Sequence, residues 1–464
     1  MRKQSLILSV AVALIAFSTA CKKENNVVND RPLTAAAAAH TCGDSTISGV
    51  ITSNLYLGDC KIYKLSGIVY VSNNATLTIA PGALVQGIKG APGGTLVITR
   101  GSKINAAGTQ TAPILFTSDQ ASPVSGDWGG IVVLGKANIN QGDSALVEGI
   151  GGTPPASAYY GGTVTNDNSG VLTYVRIEYA GYELSVDNEL NGLTLAGVGS
   201  GTTVHHVEVY KSKDDAFEFF GGSVSASYLI AAYPLDDMFD FDNSFSGTIN
   251  YALGLSDQTR ADKSQSNGIE CDNLATGDST KTPITKPVIN HMTIIGLPNA
   301  TLASTTTGAP SGTGRYGRGA HFRRGSRFDV RNSIFMGFNT GISLDASVGS
   351  GTGATASNTP CAYFRGLSVL DNNLVHAFSS TVAPFTIEGT SACLNSNAFY
   401  NLASALNGGF NTTDPNNDIQ LVAPFGTTAA GFYPQPSGEA DVYKAGAFKI
   451  GDADWTAGFS RFGN

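Results

Sequence analysis

The residues best suited to chemistry in this chain are acids, and they recur. Asp214-Asp215-Ala216-Phe217-Glu218-Phe219 returns as Asp236-Asp237-Met238-Phe239-Asp240-Phe241, an offset of 22. With Asp242, seven acids fall within 29 residues. Aligning the apolar neighbours puts Thr194, Glu218, Asp240, Glu270, His321 and Ser343 in one column. Asn191, Asp215, Asp237 and Asn267 form a second column just upstream. Stacked carboxylates repel, so either a cation such as Ca²⁺ sits among Glu218, Asp240 and Glu270, or one carboxyl keeps its proton. Paired carboxylates can run glycoside hydrolysis, and a bound Ca²⁺ with a Lys or Arg could support uronate elimination. The catalytic candidates are Glu218, Asp240, Asp215 and Asp237. The wider binding set adds Asp214, Asp236, Asp242, Glu270 and His321. The competing reading is an exposed acidic face, with Asp214 and Asp236 capping corners by accepting from backbone amides.

Positioning such a column requires a repeating element. The pattern apolar-x-x-apolar-x-apolar appears as Leu172/Val175/Ile177, Val204/Val207/Val209, Ala226/Leu229/Ala231 and Ile289/Met292/Ile294. Ile249/Ala252 and Val330/Ser333/Phe335 are looser copies. A following strand reads Leu193-Thr194-Leu195, Ile269-Glu270-Cys271 and Ile342-Ser343-Leu344. Two short strands per unit of about 22 residues, without intervening helical patterns, predict one coil of a parallel β-helix. Coils lie about 4.8 Å apart, which stacks Glu218, Asp240 and Glu270 within about 10 Å. Departures from the repeat cluster at one corner, near 181–189, 255–266 and 297–317. Loops inserted there should wall the column and bring Tyr182, Arg260, Lys263, Tyr316 and Arg315 or Arg318 towards it.

Composition agrees with an all-β chain. Of 464 residues only 14% are charged, against about 25% in ordinary domains, and Gly is 56. A hydrophobic share of 42% permits a large core and argues against disorder. The net charge of −8, with no long basic run, gives no case for nucleic-acid binding. His205, His206 and His291 show no metal-ligand spacing backed by Cys. Arg323, Arg324, Arg327 and Arg331 form a basic cluster expected to balance Asp329 and Asp345. Trp128 and Trp455 are read as packing anchors.

The first 20 residues are a signal peptide: Arg2 and Lys3, an apolar run from Leu6 to Phe17, then Ser18-Thr19-Ala20 before Cys21. Small residues directly before that Cys resemble a bacterial lipobox. Cys21 is then lipidated, and 21–44 is a flexible tether to a membrane. Cys42 with Cys60, and Cys361 with Cys393, are the candidate disulfides, and Cys271 is a buried thiol. The first pair and the segment after 437 are expected to cover the ends of the solenoid, whose strand edges would otherwise be exposed.

Several phrases carry a resemblance: Gly126-Asp127-Trp128-Gly129-Gly130-Ile131-Val132, Tyr160-Gly161-Gly162, Asn191-Gly192-Leu193-Thr194 and Val198-Gly199-Ser200-Gly201-Thr202. With Asp214 to Gly222 and the closing Gly446-Ala447-Phe448 and Trp455-Thr456, residues 45–464 resemble a family of bacterial surface lipoproteins. The family is found in Bacteroidetes, with spirochaete relatives. The resemblance implies a pectin-lyase-like, right-handed parallel β-helix, secreted or on the outer membrane, and no established reaction. A single such domain over 45–464 is therefore expected, binding a glycan or small ligand with Ca²⁺ at the acidic ladder. The alternatives are a polysaccharide lyase or glycoside hydrolase, and an accessory lipoprotein partnered with an outer-membrane receptor.

Overall fold

The computed structural model describes residues 40–462, apart from 91, 151–153, 186–187, 275–276, 305, 310–312 and 352–354. The expected signal peptide, Cys21 and residues 22–39 of the expected tether lie outside the described residues. The rest is a single parallel β-helix whose main assembly has 27 strands, all joined by parallel ladders.

Each coil carries three strand segments where the repeat suggested two. In Thr203–Tyr210, residues up to His205 pair with one column, and residues from Val207 onward with the next. Between them the chain turns at His206, with φ 53°. The same left-handed corner recurs at Tyr174, Tyr228, Tyr251, His291, Asn332 and Asn372. One residue in that conformation bends the strand and lets the ladders resume on both sides. The step of three in apolar-x-x-apolar was the mark of this corner, because strict alternation keeps apolar residues two apart.

The alternation then does what burial requires. Leu172, Val204, Ala226, Ile249, Ile289 and Val330 are successive ladder partners and point inward. Phe217 stacks on Phe239 with ring centroids 5.3 Å apart, and Phe219 on Phe241 at 5.1 Å. Cys271 continues the second of these interior rows between Phe241 and Phe322, a buried free thiol among rings. Trp128 is fully buried, donates from Nε1 to Glu178 O and stacks on Phe116. Both expected disulfides are formed, Cys42–Cys60 and Cys361–Cys393.

The segment after 437 does not cover an end. At the C-terminal end, helix Ser396–Ala403 packs Phe399 against Phe385 of the last coils. The later segment runs back along one flank instead. Phe448, Phe459 and Phe462 pack with Tyr210, Ile230, Leu253 and Ile295. Gly446 N donates to Asn332 O, while Gln110 Nε2, many coils away, donates to Ala457 O. That flank presents a row of outward apolar residues, among them Tyr210, Ile230, Leu253, Ile295 and Met336, which the segment covers.

Candidate functional site

The acidic column is a ladder in register. Thr194 pairs with Glu218, Glu218 with Asp240, Asp240 with Glu270, Glu270 with His321 and His321 with Ser343. The second column is built from side chain to backbone. Asn191 Oδ1 accepts from Asp215 N at 3.2 Å, Asp215 Oδ1 from Asp237 N at 2.9 Å, and Asp237 Oδ1 from Asn267 N. The corner caps are therefore Asp215 and Asp237, not Asp214 and Asp236. The second Asp of each pair lies over the next coil's amide, and the first turns outward and is half-buried.

Three carboxylates converge. One oxygen each from Asp215, Glu218 and Asp240 lie within 4.8 Å of one another, and a second group joins Asp214, Asp215 and Asp236. Asn191 Nδ2 donates to Glu218 Oε2. Asp240 Oδ1 is buried with no hydrogen-bond partner. Burial first, and neighbouring carboxylates second, push Asp214, Asp215, Glu218, Asp236 and Asp240 well above the usual carboxylate range. Asp237 rises only to about 6: burial raises it, while hydrogen bonds from Asn267 and the Arg323 charge pull it back.

Glu270 has a different fate from the one expected. Arg323 binds it and also Asp272, and Arg324 adds a second contact to Asp272. A guanidinium thus occupies the place given to Ca²⁺ beside Glu270, and Asp215 replaces Glu270 in the three-carboxylate group. Asp242 lies two residues beyond Asp240 on the same strand, with Oδ1 accepting from Asn243 N at 2.7 Å. Of the basic cluster, only Arg331 engages Asp329, together with Asp371.

A model of the pectate-lyase like beta helix domain matches residues 49–398. The chain belongs to this family. No curated protein and no solved structure matches it.

In this pectate-lyase-like β-helix the inserted loops form the walls of a cleft of about 450 Å³ over the acidic rungs. One wall is the hairpin Glu183–Ser185 with Asn188–Glu189. Another is a small sheet joining Arg260–Asp262 to Thr306–Ala309. Lys263 and Arg318 line the cleft as expected. Arg260 points away, its Nη2 3.4 Å from Ser125 Oγ. Tyr316 is buried, donating to Arg260 O and accepting from Asp257 N, each at 2.8 Å, so it pins the loop sheet and offers no platform. Tyr182 packs over Gly93, and Arg315 is exposed elsewhere.

The cleft also holds residues that the repeat did not point to: Glu148, Glu183, Glu189, Lys213, Asp262 and Arg323. Glu189 and burial together raise Glu148 to about 7, burial being the larger cause. Lys213 is paired with Glu183. Glu183, Glu189 and Asp262 fall in the insertions near 181–189 and 255–266, and Arg323 lies two residues after His321 on the rung beyond Glu270. Glu148 comes from a loop outside the repeat, and nothing in its local sequence marks it.

Proposed function

We propose that the cleft binds Ca²⁺ at Asp215, Glu218 and Asp240, and through it a glycan or a similarly hydroxylated small ligand. The observation that carries this reading is the convergence of three carboxylates from consecutive coils around a buried, unpartnered Asp240 oxygen. Unrelieved, such a group costs free energy through repulsion and desolvation. A hard divalent cation relieves both, and carboxylate oxygens are its preferred ligands. Lys263 and Arg318 on the wall give an anionic substituent of the ligand a place to pair.

The family's name, and a Glu218 carboxyl raised by burial and by neighbouring carboxylates, favour a second reading, a polysaccharide lyase or glycoside hydrolase acting with the same carboxylates. Calorimetry with Ca²⁺ and a glycan array on wild type, Glu218→Gln and Asp240→Asn tests the first reading. Ca²⁺-dependent glycan binding lost in both variants, without turnover, is the expected result. Release of unsaturated or hydrolysed products would assign the second. Ca²⁺ binding unchanged in both variants would remove the site.

The setting we propose is the cell envelope, with Cys21 lipidated and the solenoid tethered at the outer membrane, where a receptor is the natural partner. The leader composition supports it. Among the described residues no helix is long and apolar enough to cross a membrane. Radiolabelled palmitate incorporation, lost in Cys21→Ser, is the test.

A further inference from the structure

Beyond Glu270 the column changes chemistry. His321 is the next rung, and it is 4% exposed, with both ring nitrogens buried and without a hydrogen-bond partner. Three carboxylate oxygens surround it. Glu270 Oε2 lies 3.9 Å from Nδ1, and Asp345 Oδ2 and Glu388 Oε2 lie 3.9 and 3.8 Å from Nε2. These distances are too long for hydrogen bonds. An ion bonded to both at about 2.0–2.2 Å would hold nitrogen and oxygen about 3.4 Å apart at a tetrahedral angle, a few tenths of an ångström closer than these pairs stand.

The outer atoms of the two acids nearest Nε2 are already held. Ser343 Oγ donates to Glu388 Oε1 at 2.7 Å, and Arg318 clamps both Glu388 oxygens. Asp345 Oδ1 accepts from Ser347 N. Asp345 Oδ2 is left facing His321, whereas Glu388 Oε2, which faces it too, also accepts from Arg318 and has one further lone pair for an ion. A proton on the ring would add a positive charge beside Arg318 and Arg323 in a buried place. Burial and those arginines push His321 down to about 2, leaving the ring neutral and able to donate a lone pair.

We propose that His321 Nε2, Asp345 and Glu388 form a second cation site, for a divalent transition ion such as Zn²⁺. The groups lie within 4.8 Å of one another. One imidazole and two carboxylates suit Zn²⁺, whereas the all-oxygen trio of Asp215, Glu218 and Asp240 suits Ca²⁺. Three protein ligands leave one position open, and His321 lines the cleft, so that position adjoins the ligand space. This proposal stands independently of the Ca²⁺ reading.

The test is titration of the chelator-treated mature chain with Zn²⁺, and with Co²⁺ read by its visible absorption. Wild type should bind one equivalent at this site and give tetrahedral Co²⁺ bands. His321→Ala and Asp345→Asn should each weaken binding roughly tenfold or more, and Ser343→Ala about tenfold through Glu388. Glu218→Gln should lose Ca²⁺ and keep Zn²⁺, which separates this site from the first. Melting curves check that each variant folds, and half-buried Asp345 is the gentler change. No Zn²⁺ bound by folded wild type, or equal affinity in His321→Ala and Asp345→Asn, would overturn the proposal.

Discussion

Two columns of polar and aromatic side chains climb this solenoid at one residue per coil, with opposite surroundings. At the corner, Tyr174, His206, Tyr228, Tyr251 and His291 stack with ring centroids 4.4, 4.5, 5.2 and 5.0 Å apart. The C-terminal segment seals them: Phe459 meets Tyr174 and His206, Trp455 meets Tyr228, and Lys449 reaches Tyr251 and His291. On the other face Glu218, Asp240 and Glu270 stack at the same spacing, with Asp215 beside Glu218, beneath loops that leave a cleft. Coil spacing near 4.8 Å is favourable for rings and unfavourable for like charges. A left-handed non-Gly residue costs about 1–2 kcal/mol. Stacking worth about 0.5–1.5 kcal/mol per aromatic pair offsets much of it. The flank column is satisfied by its own stacking, whereas in the acidic one Glu270 has Arg323 and the trio Asp215, Glu218 and Asp240 has no ion pair among the described residues.

The strongest way to break this contrast is to remove its seal. Phe459→Ala deletes a buried ring over the aromatic stack and should cost about 3–5 kcal/mol in urea unfolding. Glu218→Gln, in chelator, should be neutral or stabilising, because it removes a carboxyl whose charged form burial and acidic neighbours disfavour. If the two losses were equal, the columns would not differ as described. Next in size is the cation. Ca²⁺ at 100 times its Kd should stabilise wild type by about 2.7 kcal/mol and Asp240→Asn by nothing, read from melting curves. An equal gain in the variant would place Ca²⁺ elsewhere.

The third test uses pH, for which the columns have opposite signs. Burial and Asp272 raise Asp242 to about 8, above its ordinary 3.8. Its contribution is present below the unfolded value and is lost as pH rises through 8, so the apo acidic face tightens as pH falls from 8 towards 4. Burial, with His205 beside one and Lys449 beside the other, lowers His206 and His291 from 6.5 to about 4. Their contribution is present above 6.5 and is lost as pH falls through 4. Hydrogen exchange at pH 4.5 and 7.5 should therefore show the 446–462 segment loosening in acid while Phe239–Asp242 gains protection. Movement of both in one direction would contradict the assignment. The smallest effect should be Lys449→Met, which removes a cation 5.4 Å from the Tyr251 ring and about 0.5–1 kcal/mol of stability.

The ladder Thr194–Glu218–Asp240–Glu270–His321–Ser343 was legible residue by residue, since period-2 alternation and a repeat of 22 leave one register that buries Phe217, Phe239 and Ile269 together. Insertion positions were legible for the same reason. The third strand of each coil was not separated, although the three-residue apolar step encoded its corner. Arg323 was assigned to the wrong acids, because linear proximity to Asp329 says nothing about which side chains share a face. Tyr316 and Arg260 were expected in the cleft and instead bind each other's loop.

The sequence by itself determined the parallel β-helix, its interior rows and the stacking of the acids, all consequences of short-range periodicity repeated along the chain, and the placing of the cysteines pointed to the disulfide partners. Only the tertiary structure decided which acid keeps a counter-ion and which lacks one. It also decided that Glu148 joins the cleft and that residues after 437 clasp the flank. Those outcomes depend on contacts between segments tens to hundreds of residues apart, such as Arg461 with Glu178. Loops outside the repeat have no periodicity to fix their course, and desolvation and charge pairing are properties of the assembled neighbourhood.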